Sequence, residues 1–215
     1  MYGLLISLGI ITSILMTEKV AKKEGLDTNL VWEATPWVIL SAVVGARLYH
    51  VLDFWDVYSQ NPLDAFAIWK GGLGIFGALI FGLSGLVIFL RTKKQNLLKW
   101  LNIISVPVPL AQAIGRAGNY FNKELYGIGP IPFFALEATL DFILFLILYF
   151  WFIRYQRNTL GIYLVGYGFI RFATEFFRND SWHVETTNVA QVISIVFILS
   201  GILVIKRAGG PTKEP

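Results

Sequence analysis

The chain contains no cysteine, and only two histidines and two methionines. The missing thiols exclude disulfides, thiolate metal sites and a cysteine nucleophile supplied by this chain. His50 and His183 are too few for a histidine-rich metal centre, and no metal or other cofactor is expected. Charge is also scarce. Charged residues make up 15% of the 215 positions, against about a quarter in soluble domains. Hydrophobic residues reach 55%, and mean hydropathy is +0.61. The net charge of +4 does not point to nucleic acid, because the basic residues sit in alternating loops rather than in one patch.

Long apolar runs are what the chain has in abundance. A helix crosses a bilayer with about 17 to 25 mostly apolar residues, and in lipid each span must be helical so that its backbone groups are satisfied internally. Seven runs qualify, roughly 2–17, 31–52, 71–90, 100–119, 132–153, 161–177 and 188–205. The first starts beside Met1, with no leader ahead of it, and is expected to direct its own insertion. The expected fold is therefore all-α, a polytopic membrane protein with about seven transmembrane helices. One transmembrane domain is expected over residues 1–207, with a short cytoplasmic tail at 208–215. No internal repeat is evident, so the inverted-repeat signature of many secondary transporters is missing. One set of alternating loops carries twelve lysines and arginines and the other only three. Basic loops stay on the cytoplasmic side. This asymmetry puts the N-terminus outside and the C-terminus in the cytoplasm, with loops 53–70, 120–131 and 178–187 outside.

Ionisable residues inside spans are expensive and mark function by default. The densest group runs from Gly115 to Gly127, Gly-Arg-Ala-Gly-Asn-Tyr-Phe-Asn-Lys-Glu-Leu-Tyr-Gly. Arg116 and Asn119 are three apart and share a face if the helix persists. A fixed arginine beside amide donors suits an anionic oxygen such as that of a phosphodiester. The competing reading is a capped polar helix end. A second group runs from Tyr167 to Arg178, where Tyr167, Arg171, Glu175 and Arg178 fall within about 80° of one another on a helix. Arg171 and Glu175 are spaced to pair, which serves a binding site or a structural ion pair equally well. Glu137 and Asp141, four apart, are like charges on one face. One of them pairs with an arginine, Arg116 or Arg171, or takes up a proton. Gly74, Ala78 and Gly82 form a small-residue stripe suited to close helix packing, and the glycines at 71–72 let a lipid headgroup near the backbone. Arg47 and His50 lie near the outer end of the second run. His50 is a candidate general base, although a lone interfacial histidine is more often a hydrogen-bonding residue.

Together these blocks resemble the prolipoprotein diacylglyceryl transferases. The run 115–127 matches the signature Gly-Arg-x-Gly-Asn-Phe-x-Asn-x-Glu-x-x-Gly except for Tyr120. Tyr2-Gly3, Gly45-Ala46-Arg47, Gly71-Gly72, the block from Tyr167 to Arg178 and Gln191-Val192-Ile193-Ser194 follow in the family's order, so the match covers nearly the whole chain. Four further positions depart from the family pattern. Phe76 stands where many members carry histidine, Asn102 where many carry aspartate, and Ile131 and Leu136 where histidine and tyrosine are usual.

The resemblance implies a multi-pass enzyme of the bacterial plasma (inner) membrane. It implies transfer of the diacylglyceryl group of phosphatidylglycerol to the lipobox cysteine thiol of prolipoproteins, just after the signal peptide. The partners are then phosphatidylglycerol, the prolipoprotein signal-peptide region and membrane lipids. Arg116 and Arg171 are expected to hold the phosphodiester, and Asn119 to orient it. Glu124 and Glu175 position the arginines, or one of them takes the proton. Tyr2, Gly72, Gly127, Glu137 and Arg178 are expected to bind substrate. For the thiol proton, electrostatic stabilisation of a thiolate formed in water comes first, His50 as base second and a glutamate third. The four departures motivate an alternative, an inactive relative that binds lipid or lipoprotein. A small-solute transporter is the third reading.

Overall fold

The structure, a computed structural model, describes residues 2–128, 132–178 and 182–208. Ile131 and the tail from 209 onward lie outside the described residues, as do the side chains of Tyr2 and His183. The chain falls into two compact units, residues 1–26 with 99–215, and residues 27–98.

The 27–98 unit is a helical hairpin. Helix α2 spans Asn29–Asp53 and α4 spans Ile75–Thr92, and the short helix α3, Trp55–Tyr58, opens the connection between them. Two 3-10 turns, Pro62–Phe66 and Ile68–Lys70, complete the connection. Small residues let α2 and α4 touch through their backbones. A Cβ on Gly45 would run into Phe81 and the Gly77 carbonyl, and one on Gly77 would run into the Gly45 carbonyl and Tyr49. The expected stripe of Gly74, Ala78 and Gly82 is therefore corrected at its middle position. Gly77 makes the closest approach and Ala78 is only half-buried. A helix repeats every 3.6 residues, so a four-residue step drifts off the contact line and a three-residue step corrects it. Helix α4 also begins at Ile75 rather than at 71, because Gly71 and Gly72 have positive φ of 86° and 77°.

The larger unit holds α1 (Tyr2–Lys23), α5 (Leu97–Ser105), α6 (Val108–Asn122), α7 (Phe133–Tyr155), α8 (Thr159–Thr174) and α9 (Val189–Ala208). Helix α1 continues past the expected end at 17 to Lys23, since nothing breaks the helix before Gly25, at φ 68°. The expected fourth span is two helices, α5 and α6, meeting at 43°. Pro107 and Pro109 remove backbone donors at that break. Helix α8 is capped from outside its own sequence. Asn102 Oδ1 accepts the Leu160 N–H at 3.0 Å, and the Thr159 hydroxyl donates to the Asn102 carbonyl at 2.5 Å. A short antiparallel ladder, β1 (His183–Val184) with β2 (Thr187–Asn188), leads into α9. Helices α8 and α9 meet at glycines. A Cβ on Gly201 would lie 2.7 Å from the Gly161 carbonyl oxygen.

Five of these helices, α1, α2, α4, α7 and α9, are long and apolar enough to cross a membrane, and the bent pair α5–α6 makes six. The protein is a helical, multi-pass membrane protein. Of the seven expected spans, the sixth corresponds to α8, which has 16 residues. At 1.5 Å per residue it is about 24 Å long, short of the roughly 30 Å hydrocarbon core. A 3-10 turn, Glu175–Phe177, extends it.

Candidate active site

In the larger unit the cluster is built around one carboxylate. Helix α6 carries Arg116, α7 carries Glu137, and α8 carries Arg171 with Glu175 one turn on. Glu137 is fully buried. Arg116 Nε lies 2.9 Å from its Oε2, and Arg116 Nη2 donates to Oε1 at 3.0 Å. Arg171 Nη1 reaches the same Oε1 at 3.5 Å. The other terminal nitrogen of Arg171 donates to Glu175 at 2.7 Å. The amide of Asn188, leading into α9, donates to Glu175 at 3.3 Å. Two guanidinium groups are thus pinned by two carboxylates, and taking away one partner of such a buried set leaves an uncompensated charge.

The pinning leaves donors over. Among the described residues, Arg116 Nη1 and Arg171 Nε have no partner. The side chains remain 26% and 13% exposed, so neither is fully sealed in the core. Fixed, spare N–H groups on two adjacent arginines suit a phosphate oxygen in geometry and in charge. Asp141, one turn beyond Glu137, is fully buried, and neither of its oxygens has a hydrogen-bond partner among the described residues. Tyr163 and Tyr167 stack with ring centres 5.6 Å apart, and Gln112 donates to the Tyr163 hydroxyl at 3.2 Å.

The expectation that Glu124 positions an arginine is corrected. Glu124 accepts from Asn119 at 2.8 Å and from Asn122 at 3.0 Å. Helix α6 ends at Asn122, and Lys123 turns the chain left-handed at φ 56°, which folds Glu124 back over the last turn. Glu137 is the residue that positions Arg116. Asn119 does share the persisting helix with Arg116, but it is buried and held by Glu124. Gly127 sits in a tight turn. It has φ 72°, and a Cβ there would meet the Phe177 carbonyl oxygen at 2.5 Å and Phe133 at 2.9 Å. Arg178 is half-buried just beyond the 3-10 turn.

The 27–98 unit holds a second group, a cavity of about 180 Å³ lined by Arg47, His50, Tyr58, Asp64, Lys70 and Gly72 among others. His50 and Gly72 meet here, since a Cβ on Gly72 would strike the imidazole. His50 packs on Phe54 and Tyr58, with ring centres at 4.6 and 5.9 Å. Buried Arg47 turns its donors onto backbone carbonyls. Nε donates to Ala65 at 2.8 Å and Nη1 to Gly71 and Gly72 at 2.6 and 2.9 Å. Nη2 donates to Asp64 at 2.5 Å and to Ala67 at 3.5 Å. Lys70 donates to the Asp64 carboxylate at 2.7 Å, and this hydrogen bond holds Asp64 below the usual carboxylate range. Sequence reasoning missed Asn188 and the carbonyl cage of Arg47. Neither has a local signal, because their partners are set by folding.

The family model for prolipoprotein diacylglyceryl transferase matches residues 1–207. Among similar proteins, the phosphatidylglycerol–prolipoprotein diacylglyceryl transferase of Finegoldia magna is 34% identical, covering 94% of this chain and 88% of its own length. Proteins of the same name from Synechococcus elongatus and Parasynechococcus marenigrum are 31% and 33% identical. Those two alignments cover 94% and 93% of this chain, and 81% and 86% of the relatives. With the signature block, the paired arginines and matches of this extent, the chain belongs to the prolipoprotein diacylglyceryl transferase family.

Proposed function

We propose that the protein transfers the diacylglyceryl group of phosphatidylglycerol to the lipobox cysteine of prolipoproteins, in the bacterial plasma membrane. The observation that carries this reading is the buried Glu137 carboxylate, which holds Arg116 and Arg171 side by side with N–H groups to spare. In the reaction the substrate sulfur bonds to the glyceryl carbon. The carbon–oxygen bond to phosphate breaks, its electron pair goes to the phosphate oxygen, and glycerol phosphate leaves. Negative charge collects on that oxygen in the transition state, where fixed guanidinium donors lower the barrier most. Glu137 and Glu175 keep the two arginines from reorganising as that charge develops. The thiol proton is released to water before attack, and the arginine-rich site favours the thiolate.

Seven membrane crossings, with the N-terminus outside, put the Arg116 end of α6 at the outer face, where lipoprotein precursors present their cysteine. The loop-charge asymmetry supports this arrangement. Expression in a strain depleted of its own transferase tests the activity. Restored growth with thioether-linked lipid on a reporter lipoprotein is expected, and failure of a well-folded, membrane-inserted protein to restore it rejects the proposal. Fusion reporters test the orientation. A C-terminal reporter should report cytoplasm and one at position 125 the outside, and the opposite signals reject the arrangement.

A further inference from the structure

The connection between α2 and α4 combines two features. Its outer surface is strongly apolar. Phe54, Trp55, Leu63, Phe66 and Trp69 are all exposed, with Phe66 at 77% and Trp69 at 80%. Its backbone is turned the other way. Arg47, only 7% exposed, gathers the carbonyls of Asp64, Ala65, Ala67, Gly71 and Gly72 onto one guanidinium.

Each feature alone has an ordinary explanation, but the combination has a physical consequence. Entry of a non-helical segment into the headgroup and acyl boundary is opposed mainly by unsatisfied backbone polar groups. Here a single buried cation has already satisfied five carbonyls. Tryptophan and phenylalanine favour that boundary. The connection also starts from Asp53 and ends at Ile75, the termini of two helices whose exposed faces are apolar enough to meet lipid. The aromatic surface therefore continues a lipid-facing one. Its charges, Asp53, Asp56 and Asp64 against Lys70, are mostly acidic, so attraction to anionic lipid does not hold it there.

We propose that the connection between α2 and α4 forms an interfacial membrane-insertion loop that docks on the lipid bilayer itself, with Phe66 and Trp69 at acyl-boundary depth, the polar stretch 59–61 facing water, and Arg47 as the clasp that makes insertion possible. The inference does not depend on the catalytic reading, and its test needs no activity.

The absence of cysteine allows single-site labelling. Phe66→Cys, Trp69→Cys and, for contrast in the polar stretch, Gln60→Cys are made separately in the full chain and labelled with an environment-sensitive fluorophore. Each is reconstituted in phosphatidylcholine vesicles with and without brominated acyl chains. At 66 and 69, blue-shifted emission quenched roughly two-fold or more by the brominated lipid is expected, as for groups buried at the acyl boundary. Adding anionic lipid or salt should change this little. Emission at 66 and 69 matching that of a water-exposed label at 60 overturns the proposal. So does insertion that appears only with anionic lipid. The clasp is tested with Arg47→Gln, which should move the label at 66 toward the water-like signal. A label at Leu83 on α4 should stay quenched, showing that the hairpin remains in the bilayer. Unchanged quenching at 66 in Arg47→Gln, or equal loss at 66 and 83, overturns the role of Arg47.

Discussion

Replacing Arg116 with lysine keeps the charge and removes the geometry. In the native site, two nitrogens of one guanidinium meet both oxygens of Glu137, at 2.9 and 3.0 Å. A lysine ammonium presents a single nitrogen and keeps one of those contacts. The contact at Oε1 is the charge-assisted hydrogen bond, and its loss is worth about 1.5–3 kcal/mol. At roughly 1.4 kcal/mol per decade of rate, that is a ten- to hundredfold loss if it falls on the transition state. The partial exposure of Arg116, 26%, favours the lower half of that range. The substitution also removes the donor Nη1, which the proposed mechanism assigns to phosphate, so kcat should fall more than KM rises. The assay is turnover of a lipobox peptide in vesicles containing phosphatidylglycerol, with thermal unfolding measured alongside to show a folded protein. Glu137→Gln supplies the partner variant. If Glu137 acts by fixing Arg116, the double variant loses less than the product of the single losses. Near-normal turnover in a folded Arg116→Lys protein, or strictly multiplicative losses, refutes the reasoning.

Other outcomes follow from the same geometry. Gly45→Val drives a side chain into Phe81 and the Gly77 carbonyl and should lower stability by about 1–3 kcal/mol or more. Gly115→Ala meets nothing within 4 Å and should be neutral or stabilising by up to about 1 kcal/mol. Detergent-phase unfolding compares the two. Asn102→Ala removes the acceptor capping α8 and should cost about 1 kcal/mol, whereas Asn102→Asp keeps the acceptor and should keep stability and activity. Loss of activity in Asn102→Asp would contradict the capping role. His50→Gln should leave the acid limb of the pH–rate profile in place. If that limb sits near the ordinary histidine value of about 6.5 and vanishes in His50→Gln, with activity falling roughly a hundredfold or more, His50 is the base and the thiolate route is wrong.

The departures from the family pattern look different in three dimensions. Asn102 stands where many members have aspartate, and in sequence that change counts against catalysis. In the structure the residue caps the start of α8 with a side-chain oxygen that both residue types possess. Phe76 packs near Tyr49, with ring centres 6.0 Å apart, in the same unit as the His50 cavity. The signature block shows the opposite limit. Its Glu124 reads as an arginine partner by proximity in sequence, yet the left-handed residue at Lys123 turns it onto Asn119 instead.

The sequence by itself determined the solvent, the helical class and the family. Hydropathy adds up along a run of neighbours, so a strongly apolar segment such as α9 declares its place in lipid before any contact is known. The Arg171–Glu175 pair was equally open to reading, because four residues make one helical turn. Tertiary structure alone decided that Glu137 rather than Asp141 is the paired carboxylate, and that it meets both Arg116 and Arg171, which lie 21 and 34 positions away in sequence. It also decided that Arg47 serves carbonyls 17 to 25 positions ahead of it. A charge in lipid must find a partner, but its identity depends on which helix faces meet, and for Arg47 the backbone contact of Gly45 with Gly77 helps to set that.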